Sequence, residues 1–335
     1  MRIGMFGAGR MAHIHAAHLR TLAPEARIVA ACSRSGARAE EMAATWGGRA
    51  YTDYRRLLDE NELDAAYICT PTSLHAEIGL ACVARGLHLF VEKPLDMNLA
   101  AAHRLVEAAA AQGVIALTAF HWRYSQGFLR ARELIGDDPV ALVALRWYWT
   151  RPPIDWMWRR QEAGGQIVDQ NIHLIDVSRA LAGNVETVYA AYNSRQVNFE
   201  DDFDDWDGYA VTLRYERGAV GTCAGTYGLF PEIQLGPVAD FAIRDRLVRV
   251  TDKGVLYYTP QGVEEWLNDE PFHLGVNRAF IEAVRTGDAS AIDTTLYDGF
   301  RSTAVALAAN YSAESGAPVT MNGFIAASIN PEAAA

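Results

Sequence analysis

The sequence predicts an α/β protein in two parts. Residues 1–119 read as a doubly wound parallel sheet, and residues 120–335 as an α+β part with a large, open, mainly antiparallel sheet. Three observations predict this. The first third alternates short apolar runs with helix-period segments, which implies crossovers and parallel strands covered on both faces. A glycine-rich turn joins the first apolar run to the first helix. Beyond residue 120 the rhythm changes to β-rich runs separated by turn signals, the pattern of an antiparallel sheet.

In chain order, Arg2 to Phe6 reads as a strand, Met11 to Leu22 as a helix, Arg27 to Cys32 as a strand and Ala37 to Trp46 as a helix. Ala65 to Cys69 is the next strand and His75 to Arg85 the next helix; strands Leu87 to Val91 and Ile115 to Thr118 flank the helix Leu99 to Gln112. In the second part the β-rich runs are Val140 to Trp149, Thr187 to Asn193, Tyr209 to Tyr215 and Val220 to Tyr227. Asp240 to Ile243, Leu247 to Thr251 and Val255 to Thr259 follow, with Asp252-Lys253-Gly254 as one of the turns. Helices Leu274 to Arg285 and Leu296 to Ser315 close the chain, before a tail, Asn330 to Ala335, expected to fray. No internal repeat or long low-complexity linker interrupts it.

Length and composition bound the reading. A chain of 335 residues that is 50% hydrophobic can bury two ordinary cores. No apolar stretch approaches the roughly 20 residues that span a bilayer, and the N-terminus lacks signal-peptide anatomy, so a soluble cytoplasmic protein is expected. Cys32, Cys69, Cys82 and Cys223 sit among apolar neighbours without C-x-x-C spacing, which suits buried thiols better than disulfides or zinc. A net charge of −11 argues against nucleic acid or an anionic membrane as partner.

The turn Gly7-Ala8-Gly9-Arg10-Met11-Ala12 has the G-x-G-x-x-A form between a strand and a helix, the context in which a dinucleotide pyrophosphate meets amide hydrogens and a helix dipole. At the end of the second strand an acid would bind an adenosine ribose. Here Ser33, Arg34 and Arg38 stand instead, with no carboxylate before Glu40, which favours the 2′-phosphate of NADP(H), with NAD(H) as the alternative.

Two further features carry chemistry. The chain has two lysines against twenty-eight arginines, and one of them, Lys93, lies in Glu92-Lys93-Pro94 directly after an apolar run. Lysine can release a proton where arginine cannot. The segment Gly164-Gly165 to Asp176 reads as a buried helix from about Ile167, with Asp169, His173 and Asp176 at i, i+4, i+7 on one face. An aspartate one turn from a histidine is an orienting pair for a base near neutral pH, or a satisfied pair in a core.

These pieces resemble the family of glucose-fructose oxidoreductase, inositol dehydrogenase and the rhizopine catabolism protein (Gfo/Idh/MocA). The matching residues are Gly7-Ala8-Gly9, Thr70-Pro71-Thr72-Ser73-Leu74-His75, Glu92-Lys93-Pro94, Trp122-Arg123-Tyr124, the 164–176 segment and Ser312-Ala313-Glu314-Ser315-Gly316. The resemblance implies a Rossmann domain, a second domain whose open sheet carries homodimer or homotetramer contacts, and an active site between the two. It implies catalytic roles for Lys93, Asp169 and His173. It also implies that Gly7 to Met11, Thr70, Pro71, Thr72, His75, Glu92 and Lys93 meet the cofactor. Carried onto this chain, the expected reaction moves a hydride between a secondary alcohol of a sugar or cyclitol and the nicotinamide, with no metal.

Substrate contacts are expected from Lys93, Asp169, His173 and Asp176, and from the aromatic and charged cluster Trp122, Arg123, Tyr124, Trp156 and Trp158, with Arg151 and Asp155 nearby. Trp147 and Trp149 alternate along a strand and suit a partner sheet or subunit. The acidic run Glu200 to Asp207 lacks calcium-loop spacing and reads as a solvated loop. Two alternative functions fit the same scaffold: a glycosidase that oxidises its substrate transiently, and a non-catalytic NADP-sensing regulator.

Overall fold

The computed structural model describes residues 1–198, 202–230, 232–233 and 235–330, with the backbone alone of Asp155. The chain divides into two compact units, residues 1–124 with 271–300, and residues 125–270 with 301–335.

The first unit is built on a six-stranded sheet in the order β3-β2-β1-β4-β5-β6. The strands are β1 (Arg2–Phe6), β2 (Arg27–Cys32), β3 (Arg49–Tyr51), β4 (Ala65–Ile68), β5 (His88–Val91) and β6 (Ala116–Thr118), and every pairing is parallel. Helix α1 (Arg10–Leu22) follows β1, and the strand order reverses between β1 and β4. β4 is buried at all four positions, as a strand covered on both faces must be. The sequence reading omits two short elements, β3 and the helix Tyr54–Glu60, which are too brief to show a period.

The expected cut at 119/120 falls instead after Tyr124, and residues 271–300 return to the first unit. The cause is hydrophobic. Helix Leu274–Thr286 buries Val276, Phe280 and Ile281 in one core with Ile3, Met5, Ala12, Tyr67 and Phe90. Arg123 adds a hydrogen bond to the Asp293 carbonyl at 2.8 Å and a salt bridge to Asp298 at 3.3 Å.

The second unit carries a nine-stranded sheet in the order β14-β13-β12-β11-β7-β10-β9-β8-β15. Its strands are β7 (Val140–Thr150), β8 (Val185–Asn193), β9 (Gly208–Tyr215), β10 (Val220–Leu229), β11 (Gly236–Ile243), β12 (Arg246–Thr251), β13 (Gly254–Thr259), β14 (Gly262–Leu267) and β15 (Val319–Thr320). Among the described residues only the β7–β10 pairing is parallel, because the chain leaves β7 for the helical 155–182 region before returning. Two-residue loops join β11 to β12 and β12 to β13, the latter at the expected Asp252-Lys253 turn.

Burial alternates along these strands. On β9, Tyr209, Val211, Leu213 and Tyr215 are buried while Ala210, Thr212 and Arg214 are exposed, so one face holds the core and the other stays open. Leu142, Tyr189 and Val220 are exposed apolar residues of the open rows. Among the described residues no helix is long and apolar enough to cross a membrane. Cys32, Cys82 and Cys223 are buried free thiols and Cys69 is half-buried. The expected fraying beyond Asn330 lies outside the described residues.

Candidate active site

In the first unit the residues expected at the cofactor gather at the carboxyl edge of the parallel sheet, since they follow β1, β2, β4 and β5. The turn after β1 fits a pyrophosphate. Gly9 caps α1 with no side-chain hydrogen bond, the first turn holds no acid, and a Cβ at Gly9 would meet nothing within 4 Å, so the amide end lies open. Arg10 is exposed and Met11 half-buried beside it. Gly7 is required for another reason: at φ +104 its Cβ would come 2.3 Å from the Cys69 carbonyl oxygen, so the turn can pack against the end of β4 only without a side chain.

After β2, Arg34 and Arg38 are exposed, and among the described residues neither guanidinium has an ion-pair partner. Ser33 Oγ accepts from the Ser35 amide at 3.3 Å. After β4, Thr70 Oγ1 is buried without a hydrogen-bond partner among the described residues, which suits a group reaching a ligand. Pro71 is exposed, whereas Thr72 is buried.

Two of the expected cofactor residues are committed to the protein instead. His75 is 1% exposed, with Nδ1 2.9 Å from the Pro94 carbonyl and Nε2 2.9 Å from the Thr70 carbonyl. It ties the loops after β4 and β5 together. Glu92 is 6% exposed; its Oε1 lies 2.8 Å from His15 Nε2, and its Oε2 accepts the Lys93 amide at 3.1 Å. Burial alone would push the Glu92 carboxyl up. The His15 hydrogen bond, with the positive charge of Lys93 nearby, outweighs it and holds the group below its ordinary value. Lys93 itself is half-buried and precedes a cis peptide bond to Pro94.

In the second unit the expected single helix is broken. One helix runs Gln166–Asp169 and the next Ile172–Ala182, so Asp169, His173 and Asp176 do not share one continuous face. Asn171 causes the break. Its amide nitrogen donates to Tyr209 Oη at 2.5 Å and to the Ala224 carbonyl at 3.3 Å, and its backbone N–H reaches back to Gln166 rather than to residue 167. Asp169 is half-buried at the end of the first helix and His173 is 4% exposed at the start of the second.

Around them lies a polar cluster that the sequence reading missed. Gln166 donates to the Thr226 and Trp147 carbonyls at 3.0 and 3.3 Å, and the Trp147 ring centroid is 6.5 Å from that of His173. Gln166 Oε1, Asn171 Oδ1, Tyr227 Oη and Asp205 Oδ2 are buried without hydrogen-bond partners among the described residues. Trp147 therefore belongs to the covered face with Val143 and Leu145, not to a face left for a partner. The signal was available in the alternation of β7.

Other expected substrate residues are spent within their own units. Trp122 is 3% exposed and packs edge-on to Phe272 at 5.0 Å. Arg123 is 5% exposed, and Tyr124 Oη accepts the amides of Asp293 and Thr294 at 3.0 and 3.2 Å. Asp176 has no exposed surface and accepts from Ser302 Oγ at 2.8 Å. Trp158 donates to the Pro152 carbonyl at 2.6 Å and stacks under Arg151 at 4.4 Å, while Trp156 is half-buried. Trp122, Arg123 and Asp176 are thus buried and engaged as packing elements are, whereas Tyr124, Trp156 and Trp158 are only half-buried.

The acidic run is likewise not a solvated loop. Glu200 and Asp201 lie outside the described residues, but Phe203, Asp205 and Asp207 are buried. Asp207 collects the amides of Gln196, Val197 and Asn198, which anchors the loop. Among the described residues Asp205 accepts only the Trp206 amide, and burial pushes its carboxyl up to about 7, with nearby Asp204 and Asp169 adding to the shift.

Comparison with known proteins agrees with this architecture. Residues 1–120 match the pattern described as "Oxidoreductase family, NAD-binding Rossmann fold", and residues 128–234 match the GFO/IDH/MocA C-terminal domain. The chain is 28% identical to the myo-inositol 2-dehydrogenase of Thermotoga maritima, covering 87% of this chain and 90% of that one. It is 28% identical to the scyllo-inositol 2-dehydrogenase (NAD(+)) of Bacillus subtilis over 66% of each chain. The crystal structure of GenD2 from gentamicin A biosynthesis in complex with NAD has a TM-score of 0.82 at 23% identity, with 96% of both chains covered, a likeness of fold.

Proposed function

The chain belongs to the Gfo/Idh/MocA family of oxidoreductases, and on that footing we propose that it is a dehydrogenase for a secondary alcohol of a sugar, sugar derivative or cyclitol. The observation that carries the reading is that the open Gly9 turn and Lys93 follow β1 and β5, at the same carboxyl edge of one parallel sheet. The relatives named as inositol dehydrogenases support the cyclitol class.

Gly7 to Met11, Ser33, Arg34, Arg38, Thr70 and Pro71 would hold the dinucleotide. The bound nicotinamide supplies a hydride acceptor, or a donor in reverse. Lys93 donates a hydrogen bond to the reacting oxygen and polarises it. His173 takes the hydroxyl proton, and Asp169 orients the imidazole or the substrate. In reverse the same groups return the proton to a ketone. The uncommitted guanidinium groups of Arg34 and Arg38 favour NADP(H), while the NAD(+) of the Bacillus subtilis relative's name keeps NAD(H) as the alternative.

Absorbance at 340 nm, followed with a panel of inositols and sugars and each cofactor in turn, is the direct test. Cofactor reduction is expected with at least one cyclitol or sugar, and faster with NADP. His173→Ala should lower turnover about 100-fold or more with cofactor binding kept. Product formation without net reduction would select the transient-oxidation glycosidase, and binding with no turnover of any substrate the regulator. We also propose that copies pair through the open sheet face at Leu142, Tyr189 and Val220; a monomeric mass by light scattering would remove that pairing.

A further inference from the structure

His15 is the most buried histidine of the chain, with no exposed surface, and its surroundings are specific. It sits on α1 with Ala12, Ala16 and Leu19 on the buried face, edge-on to Phe90 at 4.6 Å. Asn277, also fully buried, points its side-chain nitrogen at His15 Nδ1 at 2.9 Å and at the His273 carbonyl at 2.7 Å. That second contact fixes the amide orientation, because a carbonyl can only accept. Nδ1 of His15 is then an acceptor. The ring proton resides on Nε2 and is donated to Glu92 Oε1 at 2.8 Å.

Glu92 uses its other oxygen to accept the backbone N–H of Lys93. A chain of hydrogen bonds therefore links Asn277, His15, Glu92 and Lys93, with Asn277 donating to His15, and His15 and the Lys93 amide both donating to Glu92; its members come from the helix at 274–286, from α1 and from the loop after β5. Packing alone does not require it. A phenylalanine at 15 would fill the same apolar space against Phe90, and replacing a buried ion or polar pair by apolar groups is often neutral in stability. A buried carboxylate beside the lysine costs free energy unless it is held, and the histidine holds it.

We infer that the buried His15–Glu92 pair is a positioning device for Lys93: it fixes a negative charge behind the lysine, sets the loop geometry through the Lys93 amide, and so governs the proton affinity of the amine. This rests on the catalytic reading of Lys93 given above. The other titratable groups near the pair are His273, the N-cap of the 274–286 helix, His121 with its ring tilted against His273 at 4.1 Å, His18 and Arg10 from α1, and Cys69 after β4. His273 is pushed down to about 4 by burial and then by His15, so near neutral pH it adds no charge. The negative charge belongs to Glu92, and the positive charge of Lys93 is among those that favour it. Opposite charges this close attract, so neutralising Glu92 removes an attraction felt by the amine.

The test is the pH dependence of kcat/KM in four variants. Lys93→Arg, which cannot titrate in this range, identifies the limb set by the lysine as the one that disappears. In His15→Phe the carboxylate loses its donor and takes up a proton, and Glu92→Gln removes the charge directly. Both should move that limb to lower pH by about one unit, lowering kcat more than the KM for substrate, with the Kd for cofactor within about twofold by fluorescence titration. The double variant should match Glu92→Gln alone, since the histidine acts only through the glutamate. His15→Gln, which can still donate, should restore the limb. A limb unmoved in both single variants, a shift in Glu92→Gln alone, or additive shifts in the double variant would overturn the inference. If His15→Phe does not fold, an unmoved limb in Glu92→Gln overturns it by itself. Normal turnover in Lys93→Ala would instead remove the catalytic reading on which it stands.

Discussion

Glu92 in the first unit and Asp205 in the second are both buried acids, 6% and 2% exposed, yet the protein treats them in opposite ways. Glu92 is held ionised by a donated imidazole N–H, a backbone amide and neighbouring positive charge. Asp205 has one amide donor and an oxygen without a partner, and burial pushes it up to about 7. Asp207, two residues on, sits with Glu92: its cluster of amide donors outweighs burial and holds it low. Burial sets a cost, and the donors present decide whether the charge survives it. The first unit has placed a fixed charge beside its lysine. The second has placed a carboxyl that exchanges its proton near neutral pH within electrostatic reach of Asp169 and Tyr227.

The largest expected effect comes from taking away the donor to Glu92. His15→Phe leaves only the Lys93 amide and charge against the burial cost, so the Glu92 carboxyl should rise and begin to behave as Asp205 does. Breaking a buried pair from one side costs about 3–5 kcal/mol, so urea denaturation should show a loss of about that size at pH 8 and a smaller one at pH 5, where the carboxyl can protonate. An equal loss at both pH values would mean that packing, not charge, had been removed.

A smaller effect is expected at Asp205. An acid with a folded-state pKa above its unfolded value takes up a proton on folding. The contribution of Asp205 is therefore full below its ordinary value of 3.8 and is lost as pH rises through about 7. Asp205→Asn cannot titrate and should flatten the decline in stability between pH 5 and pH 8 by about 2 kcal/mol. Thermal unfolding at the two pH values, with an unchanged slope in the variant, would show that Asp205 is ionised throughout.

The two units also differ in how far they could be read from the chain. In the first, Gly7-Ala8-Gly9 between β1 and α1 follows rules that act over six residues, and the structure keeps them: Gly7 where only glycine fits, Gly9 open above a helix end. In the second, Gly164-Gly165 announces a helix, and the helix breaks four residues later because Asn171 bonds to Tyr209 and Ala224, 38 and 53 residues away. The missed polar cluster has the same origin. Trp147, Gln166, His173, Asp205 and Tyr227 are scattered over eighty residues of sequence and gathered by strand register.

Local signals in the chain were enough for the α/β class, five of the six parallel strands, seven of the nine strands of the second sheet, the dinucleotide turn and the choice of Lys93, Asp169 and His173 as candidates. Those signals are local, since periodicity, turn chemistry and helix ends depend on neighbours within one or two turns. It took the folded chain to bring residues 271–300 back to the first unit, to bury Trp122, Arg123 and Asp176, and to set His15 behind Glu92. Each depends on partners far away in the chain: the core that accepts Phe280, the Asp293 backbone that accepts Arg123, the Asn277 amide that fixes the His15 proton. A side chain's burial and the protonation of its neighbours are properties of the assembled interior, and no window of sequence contains them.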